Sequence, residues 1–572
     1  QYLQAEFATP ETAYSSFERD TTQDTRVQNL DVRFDTVGVN SPVEPAGALR
    51  LTPVATYASG VFDDSAAEIV AHDASSQRLF VVSSAGSQVR VLDANDPEGS
   101  GLPEINTISA PTAGFIPNSV DTYDGPLGRA VAVAWADGSN AAAGRGVVAL
   151  YNPDTLAVIG STITVGFLPD MLTFTPDGNK IVVANEGEVV GADNPPGSVS
   201  IINFSGSYAN ATHTEVTFDR WNRRERILRA RGVLMTQLDE RLASYIAEDL
   251  EPEYVAVTED NQFAWVSLQE NNAMALIDLR RNRLRNILPL GTVNHRSSNS
   301  ILDASDRDGG INLTTEPVFG LRQPDAVALM RYNGADYLFT ANEGDARDFE
   351  EIRFKDVGDT GEPGFDASAT EINGLQADDE LGRLEFNKIA SDLDRDGDID
   401  ALLAYGGRSM TIYSAPAIGR FRPVRDTGSD LESYTAARYA NVFNSNNDDN
   451  DSFESRSDAK GAEPEALTLA KIDAKTFAFL GLERQSAILV YDVSNPTQPV
   501  FQEYASNRAF VDETGAFIDP STPAGLAATG DLGPEGIEFI AAADSPISGV
   551  PVIAVANEVS GTVTLWRIDF GI

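Results

Sequence analysis

Acidic residues occupy two repeated positions in this sequence, and both positions could supply ligands for a metal ion. One position opens a short apolar segment, and the other follows the next apolar segment after a polar turn. The opening residues are Glu68, Asp170, Glu253, Asp325, Glu465 and Glu535, and the closing pairs are Asn185-Glu186, Gln269-Glu270, Asn342-Glu343, Glu483-Arg484 and Asn557-Glu558. If each pair of segments forms an antiparallel hairpin, the two positions lie at the same end of it. The pattern therefore predicts a ring of carboxylates.

Such a ring needs a compensating positive charge. Carboxylates at short range raise one another's pKa and cost free energy unless a cation lies among them. Ca²⁺ and Mg²⁺ are hard ions that prefer oxygen ligands. We therefore predict a Ca²⁺ site, with room for a second divalent metal, that includes Glu343, Asp345, Glu465 and Glu535. The alternative is that these acids cap turns and accept hydrogen bonds from backbone amides.

Two aspartate-rich segments have the spacing of calcium-binding loops. The first is DLDRDGDID, residues 392–400, in which Gly397 permits a sharp turn. Its candidate ligands are Asp392, Asp394, Asp396, Asp398 and Asp400. The second is DASDRDGG, residues 303–310, with Asp303, Asp306 and Asp308 as candidates and an ordinary polar turn as the alternative. A strand rather than a helix follows the first loop, and we expect calcium there to have a structural role, pinning the irregular sixth module.

Basic residues accompany the predicted ring and could bind an anionic substrate. Arg347 follows the Asn342-Glu343 exit, Arg484 follows Glu483, and Arg456 and Lys460 precede Glu465. Guanidinium groups beside hard cations suit the recognition of phosphate or carboxylate. We therefore predict that Arg347, Arg484, Arg456 and Lys460 are the catalytic cations. The alternative is that each one pairs with a neighbouring acid.

Composition excludes several other classes of function. The 572 residues include 42 basic and 86 acidic residues, a net charge of −44 that would repel nucleic acid. There is no cysteine, which rules out disulfides and thiolate chemistry. The three histidines are far apart, and neither a serine-hydrolase elbow nor a nucleotide-binding glycine loop is present. No apolar run is long enough to span a membrane.

The charge and the first residues also predict where the protein works. Lysine is scarce beside arginine, and a strongly acidic chain suits a salty medium in which self-repulsion is screened. We therefore predict a marine or halophilic source. The chain begins with Gln1, without a charged and apolar leader, which is typical of a mature exported protein. The predicted location is extracellular or at the cell surface.

The repeated module indicates the fold. Short segments rich in β-branched and aromatic residues alternate with Asp-Gly, Asn-Gly and Gly-Ser turns. We predict an all-β fold, a β-propeller over residues 46–572 with eight blades, seven being the rival count and a pair of β-sandwiches the rival fold. Residues 1–45 form an N-terminal extension, and residues 444–460 a long polar loop. An arginine-rich helical insertion is expected at 219–249, with Leu238, Leu242, Tyr245 and Ile246 on its apolar face.

Five motifs, in order, resemble those of the choice-of-anchor I family of exported bacterial proteins, which is related to a mesenchyme-specific cell-surface glycoprotein group. They are LDASDRDGGIN, TANEGDAR, DSFESRSDAKGAEPEAL, GLERQSAILVYDV and GPEGIEF. The resemblance covers residues 48–570 and implies a propeller-like domain with an alkaline-phosphatase-like label. The motif positions that it carries over are Asn342, Glu343, Asp345, Arg347, Arg456, Lys460, Glu465, Glu483, Arg484, Glu535 and Glu538.

Three functions remain open from the sequence. The first is a metal-dependent phosphoester hydrolase. It would act on a small phosphorylated substrate at the acidic mouth of the propeller's central channel. The second is a non-enzymatic structural or adhesion protein, stabilised by calcium and able to self-assemble or attach to a surface. The third is a module that binds an extracellular ligand without turnover.

Overall fold

The computed structural model describes residues 45, 47–138, 144–189, 193–235, 245–347, 349–367 and 369–571. The predicted N-terminal extension, apart from residue 45, lies outside these residues. Leu238 and Leu242 of the predicted helix also lie outside them. Strands β1 to β35 and helices α1 to α4 are numbered along the chain.

Seven four-stranded antiparallel sheets dominate the fold. The first described strand along the chain, β1 (Leu49–Ala58), belongs to the last of these sheets. The first four sheets consist of β2 (Val70–Asp73), β3 (Arg78–Ser83), β4 (Gln88–Asp93) and β5 (Glu104–Ser109); β6 (Phe115–Gly125), β7 (Gly128–Asp137), β8 (Arg145–Tyr151) and β9 (Ile163–Phe167); β10 (Pro169–Phe174), β11 (Lys180–Asn185), β12 (Ser198–Phe204) and β13 (Ala211–Thr217); and β14 (Pro252–Val257), β15 (Phe263–Leu268), β16 (Ala273–Asp278) and β17 (Arg283–Pro289).

An accessory region follows the fourth sheet. Its five-stranded sheet contains β18 (Thr292–Asn294), β19 (Val318–Leu321), β22 (Glu351–Arg353), β24 (Glu385–Asn387) and β26 (Leu402–Ala404), and β23 (Gly364–Phe365) pairs with β25 (Asp398–Ile399). The last three blade sheets consist of β20 (Val327–Tyr332), β21 (Ala335–Ala341), β27 (Met410–Ser414) and β28 (Arg422–Asp426); β29 (Pro464–Ile472), β30 (Lys475–Leu482), β31 (Ala487–Asp492) and β32 (Val500–Ala505); and β33 (Pro534–Ile540), β34 (Val552–Asn557) and β35 (Thr562–Phe570) with β1.

The innermost strands of the seven sheets form a closed circle. In order, β2, β6, β10, β14, β20, β29 and β33 each contact the next, and β33 contacts β2. Buried apolar side chains fill the space between neighbouring sheets, as where Phe80 and Val82 of β3 pack with Val133 and Trp135 of β7. This arrangement confirms the all-β propeller. The predicted eight blades are not confirmed, because the described residues form seven four-stranded sheets.

The circle is closed by the two ends of the described chain. Strand β1 pairs antiparallel with β35, from Leu49 opposite Phe570 to Ala58 opposite Thr562. The outermost strand of the last sheet therefore comes from the start of the described chain, and the other three come from its end. Full closure removes the open side that a linear array of sheets would present.

The accessory sheet explains the difference in blade count. The segment from Ile399 reads as one blade module in the sequence, but the structure divides it between two sheets. Strand β26 pairs in parallel with β19 in the accessory sheet, whereas β27 pairs with β21 and so completes the fifth blade. The residues between β21 and β27 are therefore an insertion within one blade.

Four α-helices are present among the described residues, α1 (Pro97–Ser100), α2 (Glu225–Arg231), α3 (Asp430–Arg438) and α4 (Pro523–Thr529). Where the sequence predicted one helical insertion, the described part has α2 between two 3₁₀ turns, Asp219–Trp221 and Ile246–Glu248. Trp221, Leu228 and Ile246 bury their side chains in the core between the third and fourth sheets. The insertion thus covers the edge of these two blades.

Candidate cation-binding site

The acidic openers lie where the innermost strands leave regular pairing. In five blades the register of the inner strand shifts directly after a proline, at Pro117, Pro169, Pro252, Pro464 and Pro534. The residue that follows the proline is Asp170, Glu253, Glu465 or Glu535, and Asn118 in the second blade. Bulges of this kind re-aim side chains and are common beside functional sites.

The openers and the exits of the second strands meet, as the hairpin argument predicted. Two clusters have carboxylate oxygens that all lie within 4.8 Å of one another, and both consist of predicted ring positions. These are Glu68, Glu535 and Glu558, and Glu186, Glu253 and Glu270. A third cluster joins Glu343 and Glu483 to Glu463. We call this assembly, at one end of the circle of inner strands, the carboxylate funnel.

Burial and mutual repulsion keep these groups from ionising easily. Burial raises the pKa of Glu253 well above its usual range, and Glu270 and Glu186 raise it further. Burial also raises the pKa of Asp170 to about 7, with Glu188 adding to the shift. Burial likewise raises the pKa of Glu535 well above its usual range, and the neighbouring Glu558 and Glu68 raise it further. The funnel therefore favours any ligand that brings positive charge.

Several carboxylate oxygens in the funnel have no hydrogen-bond partner among the described residues. They are the Oε2 atoms of Glu253, Glu270, Glu465 and Glu535. The side chains of Glu253 and Glu270 are well buried, since these residues are only 7% and 4% exposed. A buried ionised oxygen without a partner costs free energy, so these atoms suit coordination to a hard cation.

One sector of the funnel is already neutralised by basic side chains. Glu463 is fully buried. Its carboxylate forms ion pairs with Arg456 at 2.6 Å, Lys460 at 3.1 Å and Arg484 at 3.1 Å. Burial alone would raise the pKa of Glu463, but these three cations lower it well below its usual range. The structure therefore brings three of the four predicted catalytic cations together, around a carboxylate.

The fourth predicted cation, Arg347, lies in a different sector. Its guanidinium group pairs with Glu251, with Glu350 at 3.3 Å and with Asp249 at 3.5 Å. Its side chain is 7% exposed. Arg347 is therefore occupied by acids on three sides, as the alternative interpretation of the arginines anticipated.

Of the four predicted metal ligands in the ring, two have a buried oxygen without a partner, and Glu343 has a partner for each of its oxygens. Glu465 and Glu535 keep such an oxygen among the described residues. Glu343 instead accepts hydrogen bonds from Lys460 at 3.0 Å and from Gln269 at 2.9 Å. Burial raises the pKa of Asp345, and Lys460 partly offsets this.

The segment 392–400 forms a closed turn. Asp392 accepts backbone hydrogen bonds from Arg395 at 2.6 Å and Gly397 at 3.0 Å, and Asp400 accepts one from Leu393 at 2.6 Å. Asp394 and Asp396 are exposed. Asp398 and Asp400 also come within 4.8 Å of a carboxylate oxygen of Asp366. The calcium prediction for this loop remains a prediction.

In the second aspartate-rich loop, 303–310, only some of the predicted ligands lie together. Asp306 pairs with Arg383, and with Arg307 at 3.2 Å, so it faces cations of the protein. Asp303 and Asp308 instead meet Glu454, from the polar loop 444–460, with carboxylate oxygens within 4.8 Å.

Sequence reasoning missed Glu251 and Glu463, which hold the basic residues. Both stand in the same tripeptide, Glu-Pro-Glu, directly before an acidic opener. The signal was therefore present as Glu251-Pro252-Glu253 and Glu463-Pro464-Glu465. Glu454 carried no such signal, because its partners are far away in the sequence.

The chain is similar to a known protein family, to a curated protein and to solved structures. The model of the choice-of-anchor I domain matches residues 68–496. Gigasin-3a of Magallana gigas is 30% identical over 208 residues, which cover 35% of this chain and 69% of that protein. Two similar solved structures are Kuenenia stuttgartiensis hydrazine synthase (12% identity, 89% of this chain and 99% of that chain, TM-score 0.41) and the Myceliophteria thermophila Cps50 (Swd1) propeller domain (8% identity, 90% and 99%, TM-score 0.43). None of the described helices could span a membrane.

Proposed function

The chain belongs to the choice-of-anchor I family, and we propose that it is an extracellular, surface-associated propeller that binds calcium in its carboxylate funnel. The observation that carries this proposal is the cluster of Glu186, Glu253 and Glu270, in which two buried Oε2 atoms have no hydrogen-bond partner among the described residues. Calcium takes oxygen ligands from flexible carboxylates at this kind of spacing. The role is structural, in attachment to a surface or in assembly, and calcium stabilises the propeller for it.

The choice of sector follows from the distribution of charge. Glu463 and its neighbours already have Arg456, Lys460 and Arg484 as internal cations. Among the described residues, no ion pair involves Glu186, Glu253 or Glu270. The binding of an external cation should therefore be most favourable there. Arg347 partly offsets the raised pKa of Glu270, and bound calcium would supply positive charge to Glu186 and Glu253 as well.

Calcium titration of the purified protein by calorimetry tests this proposal. Glu253→Gln should remove one bound calcium ion per chain, because it deletes the charge of a ligand without changing its size. Glu259→Gln is the matched control, because Glu259 is exposed beyond the other end of the same strand, β14. Unchanged calcium binding by Glu253→Gln would refute the site.

The second candidate function that we propose is metal-dependent phosphoester hydrolysis at the same mouth. It is favoured by Arg456, Lys460 and Arg484, whose side chains are 22%, 16% and 24% exposed beside the funnel acids. A phosphoryl group would have to compete with Glu463 for these cations. Turnover of p-nitrophenyl phosphate or its diester, lost with a chelator and restored by calcium, would support hydrolysis. Calcium binding without turnover would leave the structural role.

A further inference from the structure

A separate carboxylate cluster lies where two distant loops meet. Asp303 and Asp308 belong to the loop 303–310, and Glu454 belongs to the polar loop 444–460. One carboxylate oxygen from each lies within 4.8 Å of the other two. Asp303 is fully buried and Glu454 is 3% exposed. None of these three residues belongs to a cluster of the carboxylate funnel.

Glu454 presents the clearest sign that this cluster binds a ligand. Its Oε1 atom is buried and has no hydrogen-bond partner in the part of the chain that the structure describes. Its backbone adopts a left-handed conformation, with φ of 59°, which is uncommon for a residue with a side chain. Backbone strain of this kind persists where the surroundings hold it in place. The carboxylate is thus directed at two aspartates, where an anion alone is unfavourable.

The other two residues bring oxygens that are already oriented. Asp303 Oδ2 accepts a hydrogen bond from the backbone amide of Asn312 at 2.7 Å, and Asp308 Oδ1 accepts one from Gly310 at 3.4 Å. Each carboxylate oxygen has a further lone pair for a metal ion. The loop is therefore pre-arranged by its own backbone.

Nearby arginines do not neutralise the cluster. Arg383 pairs with Asp306, and Arg408 donates to Glu432 at 2.6 Å and to the backbone carbonyl of Asp303 at 2.7 Å. No ion pair between described residues involves Asp303, Asp308 or Glu454. Three buried or partly buried acids at this separation repel one another when ionised, and a cation between them removes that repulsion.

We propose that Asp303, Asp308 and Glu454 bind a calcium ion that fastens the loop 444–460 onto the loop 303–310. Only oxygen ligands are available, which favours a hard cation. The fastened loop also carries Arg456 and Lys460, two of the cations that reach Glu463. The ion therefore fixes one rim of the carboxylate funnel from outside it.

The number of bound calcium ions tests this site in the full chain. Equilibrium dialysis with calcium alone should give one ion fewer per chain for Glu454→Gln than for the unchanged protein. Asp451→Asn is the matched control, since Asp451 is an exposed acid of the same loop, and it should keep every ion. If Glu454→Gln binds as many ions as the unchanged protein, the site is refuted.

Limited trypsin digestion provides a second measurement. A chelator should speed cleavage after Arg456 in the unchanged protein, and Glu454→Gln should be cut at the faster rate even with calcium. Equal rates for Glu454→Gln and the unchanged protein in calcium would overturn the proposal. If Glu454→Gln does not fold, Asp308→Asn removes a partly exposed ligand instead and should show the same loss.

The test separates this site from the funnel. Glu253→Gln should lose only the funnel ion and keep the calcium-dependent protection of Arg456. Glu454→Gln should lose only the loop ion. Either site can therefore fail without the other.

Discussion

The ammonium group of Lys460 lies 3.0 Å from Glu343 Oε1, although the two residues are 117 positions apart. Lys460 precedes the sixth blade, and Glu343 follows the second strand of the fifth. The same ammonium group also pairs with Glu463 at 3.1 Å. One lysine thus joins two blades across the funnel and supplies part of its positive charge.

Replacing this lysine should increase the effect of calcium. Lys460→Gln removes a cation from Glu343 and Glu463, so the protein should unfold at a lower temperature in a chelator. Added calcium should then raise the unfolding temperature by more than it does in the unchanged protein, because the ion replaces the lost charge. Thermal unfolding with and without calcium measures this. An identical calcium effect in both proteins would contradict it, and Lys471→Gln, in the sixth blade away from these acids, is the control.

Arg408 should prove to be a structural residue. It is 4% exposed and donates to the carboxylate of Glu432 and to the backbone carbonyls of Asp303, Ser457 and Ala459, the last two at 2.8 and 2.7 Å. Arg408→Met keeps the length but leaves Glu432 as an unpaired buried charge, which typically costs about 3–5 kcal/mol. Urea unfolding should show this loss. A variant as stable as the unchanged protein would mean that these contacts contribute little.

Arg347 should likewise affect stability before it affects any reaction. Arg347→Ala leaves Glu251, Glu350 and Asp249 buried without their shared cation, and the free energy of unfolding should fall by about 3–5 kcal/mol. Arg347→Lys should lose less, because it keeps the charge but not the forked geometry. Urea unfolding of both variants measures the difference. If Arg347→Ala folds normally and phosphoester turnover disappears, the residue binds substrate.

Stability should depend on pH through Glu538, an acid of the innermost strand β33. Burial raises its pKa from an ordinary value of 4.5 to about 8, with Asp121 adding to the shift. The folded protein therefore holds a proton between pH 4.5 and about 8 that the unfolded chain has released. The free energy of unfolding from this group consequently falls as pH rises through that window, by at most about 1.4 kcal/mol per pH unit.

Glu538→Gln isolates this contribution. The variant should be more stable than the unchanged protein above pH 8 and should lose that advantage near pH 4.5. Urea unfolding in a chelator across this range measures it. A difference between the two proteins that does not vary with pH would show that Glu538 does not titrate as described.

The repeated positions of the funnel could be predicted because they are local. A Pro–acid pair at the start of five of the seven inner strands is visible in the sequence, and hairpin geometry carries it to the same end as the strand exits. The choice between metal and protein cations could not be predicted in this way. It depends on whether Lys460 reaches Glu343 or Arg347 reaches Glu251, and these residues are brought together only by the closed ring.

The blade count was harder to predict for a related reason. Strands β26 and β27 are neighbours in sequence and have similar apolar patterns, so they resemble one hairpin. Their pairing partners, β19 and β21, decide that they belong to different sheets. Periodicity reports which face of a strand is buried, and it carries no information about which strand lies beside it.

The pairing of β1 with β35 has a consequence for how the molecule is made. Six of the seven blade sheets can assemble from strands that lie within one stretch of the chain, whereas the seventh waits for residues 562–570 to reach residues 49–58. During synthesis from the amino terminus, β1 is made before the other described strands and must remain unpaired until β35 has been made. A chain interrupted before β35 would be an open arc with exposed strand edges. Completion of the ring therefore serves as a test that the chain is intact from β1 to β35.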